Sequence, residues 1–244
     1  MSYISRLDKQ LHNLKYRKYY YNFDFIMHDY MLKKFKCHFN KNDCLELGAG
    51  NGNFTLKLAK FFKNITVVEG SSKSINKIKK LNIKNINIIN QDIEKINIKK
   101  KFNNIFIIHT LEHLQKRIHT LKKLKNLLTN NGILYVATPN ANAISRQIAV
   151  KMGLIKKNNS ITLGEKSHGH QITYDLKRLE KDIILAGLSI KKSGGIFFKP
   201  LANFQIDLAV KKKIIDQNYL DACYELGNLY KDFCSSIFII AKKK

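Results

Sequence analysis

The chain of 244 residues is poor in the features that organise extracellular, membrane and multi-domain proteins. Its four cysteines, Cys37, Cys44, Cys223 and Cys234, are scattered and form no CxxC pair. That argues against a disulfide scaffold or a zinc knuckle and predicts a reduced, cytoplasmic protein. Pro139 and Pro200 are the only prolines, and no Pro/Gly/Ser-rich linker divides the chain. No apolar run approaches the ~20 residues of a membrane span. The opening MSYISRLDKQ has no apolar stretch of the signal-peptide kind, so none is expected. Acidic residues are scarce, 18 against 44 Lys+Arg, and arginine is confined to Arg6, Arg17, Arg117, Arg146 and Arg178.

The resulting net charge of +26 is the footprint expected of a nucleic-acid or anionic-surface binder. Its texture points elsewhere. Lysine is mixed with Ile and Asn throughout, as in INKIKKLNIKNINIINQDIEKINIKKK, and its clusters are spread along the chain. This looks like the imprint of an A+T-rich genome and predicts a solvated surface rather than a dedicated polyanion site. Steering of a small anionic substrate fits either reading.

Short β-branched runs alternate with amphipathic, lysine-rich segments. Strands are predicted at 43–47, 65–69, 86–89, 104–109, 132–138, 188–198 and 235–241. The first five are continuous apolar runs, as strands buried on both faces should be. Helices are predicted at 53–62, 72–80, 111–128 and 174–186. The alternation implies an α/β fold: a doubly wound, mostly parallel sheet with helices on both faces. Three segments lie outside it: an aromatic, helical lead-in over residues 1–40, an insertion at 139–173 and another at 199–234. Residues 41–244 then form the main domain. Insertions of this length are often lids or binding loops, and ligands sit at the carboxyl ends of parallel strands.

The most informative stretch is CLELGAGNGNFT, in which a strand ends, glycines turn the chain and a helix begins. Glycine there permits positive φ and close approach of a ligand to the backbone. The dinucleotide pattern G-x-G-x-x-G would need glycine at 53, where this chain has Asn53. Glu46 would repel a pyrophosphate but suits a ligand with a positive charge and hydrogen-bond donors.

On these residues the chain resembles the class I (Rossmann-like) S-adenosylmethionine (SAM)-dependent methyltransferases. E-x-G-x-G-x-G places Glu46, Gly48, Gly50, Gly52 and Asn53 at the cofactor turn. VVEGS ends the second strand, where the resemblance implies that Glu69 binds the ribose hydroxyls, with Gly70 and Ser71 beside it. NQDIEK implies that Asp92 pairs with the adenine amino group while Ile93 flanks the ring. FIIHTLEHL implies that His109 and Leu111 lie beneath the sulfonium. The resemblance also implies a seven-stranded sheet with an antiparallel last strand, and S-adenosylhomocysteine (SAH) as product. Each residue has a plainer reading. Glu46 could pair with a lysine, and Glu69 and Asp92 could cap helices.

HTLEH also spells H-x-x-E-H, the inverzincin pattern. A zinc hydrolase would need His109 and His113 on one helix, whereas His109 is predicted to end a strand, and the glycine turn would go unexplained. No metal is therefore expected. Beside a methyltransferase cofactor, His113, His168 and His170 are the candidates for a general base. Capping, packing and loop hydrogen bonds are the competing readings. Asn140, Arg146, Tyr174 and Lys199 are the candidate substrate contacts, and Tyr19 to Tyr21 and Tyr30 could cover the cofactor. The place after the fourth strand reads HTLE, not the N/D-P-P-Y-like motif of nucleic-acid amino-methyltransferases. The insertions are similar to those of methyltransferases from surface-polysaccharide and natural-product pathways. The expected acceptor is thus a small polar or anionic molecule, O-methylated in capsule or surface-polysaccharide biosynthesis, with ribosomal or transfer RNA as the alternative.

Overall fold

The computed structural model describes residues 21–40 and 43–244. Helix α1 (Asn22–Phe35) leads into β1 (Asp43–Leu47), α2 (Asn53–Leu58), β2 (Asn64–Glu69), α3 (Ser72–Lys80), β3 (Ile86–Asn90) and β4 (Phe102–Ile108). Then follow α4 (Arg117–Leu127), β5 (Leu128–Pro139), α5 (Ile144–Lys151), α6 (Leu163–Ser167) and α7 (Leu176–Leu185). The chain closes with β6 (Leu188–Ile196), α8 (Asn203–Lys211), α9 (Gln217–Leu229) and β7 (Ser236–Lys243).

The strands form one seven-stranded sheet in the order β3-β2-β1-β4-β5-β7-β6. The first five pair in parallel, and β7 runs antiparallel to both β5 and β6. The expected doubly wound sheet with an antiparallel last strand is therefore present. Side chains alternate along each strand between two cores, because the pleat has a period of two. Phe106, Tyr135, Phe238 and Ile240 face one core. Ile105, Ile107, Leu134, Val136, Ile237 and Ile239 face the other. Burying each such side chain stabilises the fold by roughly 1.5–3 kcal/mol. No helix of the described residues is long and apolar enough to cross a membrane.

The lead-in is part of the sheet's support. Phe23, Met27, Tyr30, Met31 and Phe35 recur at helical spacing along α1 and lie in the first core. Asp207 of α8 accepts from the backbone N–H groups of Asn22 and Phe23, at 3.0 and 2.8 Å, so the second insertion caps the lead-in helix. The Tyr30 hydroxyl donates to Asp221 at 2.9 Å and its ring stacks on Tyr224 at 4.9 Å, which is a packing role. Tyr19 and Tyr20 lie outside the described residues.

Several element boundaries differ from expectation. Helix α2 stops at Leu58 rather than at 62. The segment expected to be one helix over 111–128 is a single 3-10 turn, Leu111–His113, then extended backbone at Leu114, then α4. Strand β4 ends at Ile108, and His109 follows it with φ of 46°. Strand β5 starts earlier than predicted, at Leu128, and its pairing with β4 shifts register between Phe102 and Asn104.

Candidate active site

The site begins where β1 and β4 end side by side. The turn after β1 carries Gly48, Gly50 and Gly52 at φ of 75°, 57° and 82°. A Cβ on Gly48 would lie 2.4 Å from the Thr110 hydroxyl, which is fixed by its own bonds to the carbonyls of Leu47 and Ile108. Only glycine fits there. Gly52 opens α2, and Asn53 is its first residue.

Glu69 ties this turn to the next one. Its carboxylate accepts from the Gly50 N–H at 3.0 Å and the Ser71 N–H at 2.8 Å. Asn90 donates to the carbonyls of Glu69 and Gly70, and Ser71 caps α3 through the Ser74 N–H. Asp92 is buried and caps the 3-10 turn Ile93–Lys95 by accepting from Glu94 N–H at 2.9 Å. The three acidic candidates thus stand at the carboxyl ends of neighbouring strands, as expected. Ile93 and Leu111 belong to the second core.

Glu46 is the least satisfied of the three. It is 2% exposed, and its Oε2 has no hydrogen-bond partner. Burial, with the charge of Glu69 nearby, pushes its pKa up to about 7. Glu46 opens onto a cavity of about 470 Å³ that runs from the glycine turn to the insertions. Its wall includes Glu46, Gly48 and His109, and also His113, His168, His170 and Lys199. Helix α1 adds Asp24, Met27 and His28.

His109 donates its backbone N–H to Ala137 and places its ring Nε2 2.9 Å from the Ser236 hydroxyl. Burial drives its pKa down to about 3, so the ring is neutral. His113 and His170 meet edge to face at 4.6 Å between ring centres. The loop of the first insertion brings them together: Gln171 N–H donates to the Glu112 carbonyl at 2.9 Å, and Gly169 turns the chain at φ of 88°. Burial, together with the neighbouring histidines, lowers the pKa of His113 to about 3 and of His170 to about 4. Beside them Glu112 is 1% exposed, and neither of its carboxylate oxygens has a hydrogen-bond partner. Burial holds its pKa up at about 8.

The substrate candidates divide. Lys199 is in the cavity wall, 2% exposed, donating to the Leu201 carbonyl at 2.6 Å and lying 5.1 Å over the Phe23 ring. Burial lowers its pKa to about 8, while Asp24 opposes the shift. The other three have structural partners instead. Tyr174 is fully buried in the second core, its hydroxyl donating to Asp182 at 2.7 Å. Asn140 borders the cavity, but its amide donates to the carbonyls of Asp232 and Cys234. Arg146 also borders it, yet its guanidinium pairs with Glu165 and donates to the carbonyls of Asn158 and Ser160. It staples the first insertion to itself.

Residues 15–192 match the family described as a methyltransferase domain. That span is well over half of the chain. The chain belongs to the methyltransferase-domain family. Within it, the chain is 30% identical over 98 residues to (S)-tetrahydroprotoberberine N-methyltransferase of Eschscholzia californica. That match covers 38% of this chain and 28% of the plant enzyme, so the chain spans well under half the length of this curated relative. Among solved structures it is similar to a SAM-dependent methyltransferase of Thermotoga maritima, possibly a histamine N-methyltransferase, with 15% identity, TM-score 0.63 and 99% of each chain covered. It is likewise similar to DhpI, solved as its SAH complex, with 12% identity, TM-score 0.62 and 98% and 96% of the two chains covered.

The residues at the turn fit SAM. Glu46 is a buried acceptor in want of a cationic donor, which the cofactor's ammonium would supply. The glycine turn leaves backbone free for close approach, and Glu69 and Asp92 stand at the ends of the two neighbouring strands, beyond the lining of the cavity.

Sequence reasoning passed over Asp24 and His28. They lie at i and i+4 of α1, so one face of that helix presents both to the cavity. Burial pushes Asp24 up to about 6 and His28 down to about 4. The FDFIMH spacing carried that signal. Glu112 stands within HTLEH, but the motif alone does not show that its side chain is buried at the cavity.

Proposed function

We propose that the chain is a SAM-dependent methyltransferase that methylates a hydroxyl oxygen of a small, polar, anionic acceptor. The observation that carries this reading is the single cavity whose wall holds a carboxylate and a glycine turn together with histidines and a buried lysine. SAM supplies an electrophilic methyl group when bound. The chain's own residues do the rest. Glu46 holds the ammonium, Glu69 the ribose hydroxyls and Asp92 the adenine amino group. His109 lies against the methionine portion. Transfer is an in-line displacement, so positioning and exclusion of water supply much of the rate. Lys199 offers a positive charge to a phosphate or carboxylate of the acceptor, and His113, His168 and His170 form the polar wall that its hydroxyl meets. A sugar, nucleotide-linked or phosphoramidate-type acceptor of a surface-polysaccharide pathway would meet these demands.

An amine acceptor is the second reading. It is favoured by the buried carboxylate of Glu112 and by the curated relatives, which are named N-methyltransferases. The test is SAH release from SAM with nucleotide-linked sugars, small amines and RNA offered separately. Turnover on the anionic sugars is expected. Turnover on amines alone would transfer the assignment to nitrogen, and turnover on RNA alone would overturn both.

A further inference from the structure

The cavity wall contains a cluster that methyl transfer by itself does not explain. Glu112, His113 and His170 each offer one ligand atom, and these atoms all lie within 4.8 Å of one another. A carboxylate that is 1% exposed, with both oxygens lacking hydrogen-bond partners, is costly to keep unless a cation meets it. His113 Nε2 lies 3.9 Å from Oε1, which is too far for a hydrogen bond. That gap is where an ion would sit.

We propose that Glu112, His113 and His170 form a divalent transition-metal site in the cavity wall. The inference deepens, and rests on, the reading of the acceptor as a hydroxyl. Two imidazoles and one carboxylate suit Zn²⁺, Mn²⁺ or Co²⁺ better than Mg²⁺ or Ca²⁺, which prefer all-oxygen sets. Three protein ligands leave coordination positions open for the acceptor oxygen. There the ion lowers the pKa of the hydroxyl as it does that of bound water. The acceptor O–H loses its proton to solvent, the oxygen bonds the methyl carbon, and the carbon–sulfur bond breaks with its electron pair leaving on sulfur. No oxidant or reductant is required. His109 is outside this set because its Nε2 faces Ser236. The HTLEH motif therefore contributes its last two residues, and the third ligand comes from the HGH loop. This replaces the sequence expectation of no metal.

The test is equilibrium dialysis of chelator-stripped full-length protein against Zn²⁺, Mn²⁺ and Mg²⁺, without SAM or acceptor. One Zn²⁺ or Mn²⁺ per chain is expected, with little Mg²⁺. Glu112→Gln, His113→Ala and His170→Asn should each weaken binding at least ~10-fold. His119→Ala, on the exposed face of α4, should not. The Co²⁺-loaded protein should show the visible absorption of a low-coordinate nitrogen/oxygen site, lost in His170→Asn. Zn²⁺ should raise the melting temperature of the wild type and not of the ligand variants. SAH binding, measured separately, should persist in folded Glu112→Gln, so failure of the metal site and failure of the cofactor assignment are distinguishable. No stoichiometric binding, or binding unchanged in the three ligand variants, would overturn the site.

Discussion

Cofactor binding should expel a proton from Glu46. In the free protein burial places this carboxyl at about 7, against 4.5 for an ordinary glutamate. Between those values the folded chain binds more protons than the unfolded one. Glu46 therefore costs stability as pH rises through that window, by up to about 3 kcal/mol. A bound ammonium returns the carboxyl to its ionised form. At pH 6 some ~0.9 of the free protein carries the proton, and at pH 7 about half, so binding releases those fractions. Affinity should rise about fivefold from pH 6 to pH 7, which is roughly 1 kcal/mol. SAH carries the same aminocarboxypropyl group and is the convenient ligand. Titration calorimetry at each pH, in two buffers of different ionisation enthalpy, reads the proton count directly. Glu46→Gln should remove the released proton, flatten the pH dependence and weaken binding by about 1.5–3 kcal/mol. Proton release unchanged in Glu46→Gln, or affinity flat from pH 6 to 7 in the wild type, would refute the assignment of the ammonium to Glu46.

Three further outcomes are expected. Gly48→Ala should destabilise the fold by about 2–4 kcal/mol in chemical denaturation, because its methyl meets Thr110 and the backbone there is left-handed. Lys199→Met should raise KM for an anionic acceptor about tenfold or more while SAH affinity, measured by calorimetry, holds. Tyr174→Phe should cost about 1–2 kcal/mol of stability in a urea melt and leave turnover intact, since its hydroxyl serves Asp182 in the core.

Much of the fold was legible because parallel strands buried on both faces read as unbroken β-branched runs. ITVVE, NIFII and ILYVAT all became strands for that reason. The cofactor turn was legible because its demands are local: positive φ at the glycines and a carboxylate at a strand end. The acceptor side was not, because it is assembled by distant segments. Nothing in the sequence near His113 announces His170, which arrives through the Gln171–Glu112 backbone bond and the turn at Gly169. Arg146 and Tyr174 looked like free polar groups, and only the folded chain reveals Glu165 and Asp182 as their partners. The 111–128 helix was overextended because apolar periodicity continues through Leu111, Leu114 and Leu121 while the backbone does not.

The central claim is that the turn from Glu46 to Asn53 receives SAM. Equilibrium binding of radiolabelled SAM to the purified chain tests it most directly. One SAM per chain, displaced by SAH and lost in Gly50→Val with circular dichroism unchanged, is the predicted result. No saturable binding, or binding undiminished in folded Gly50→Val, would contradict the claim.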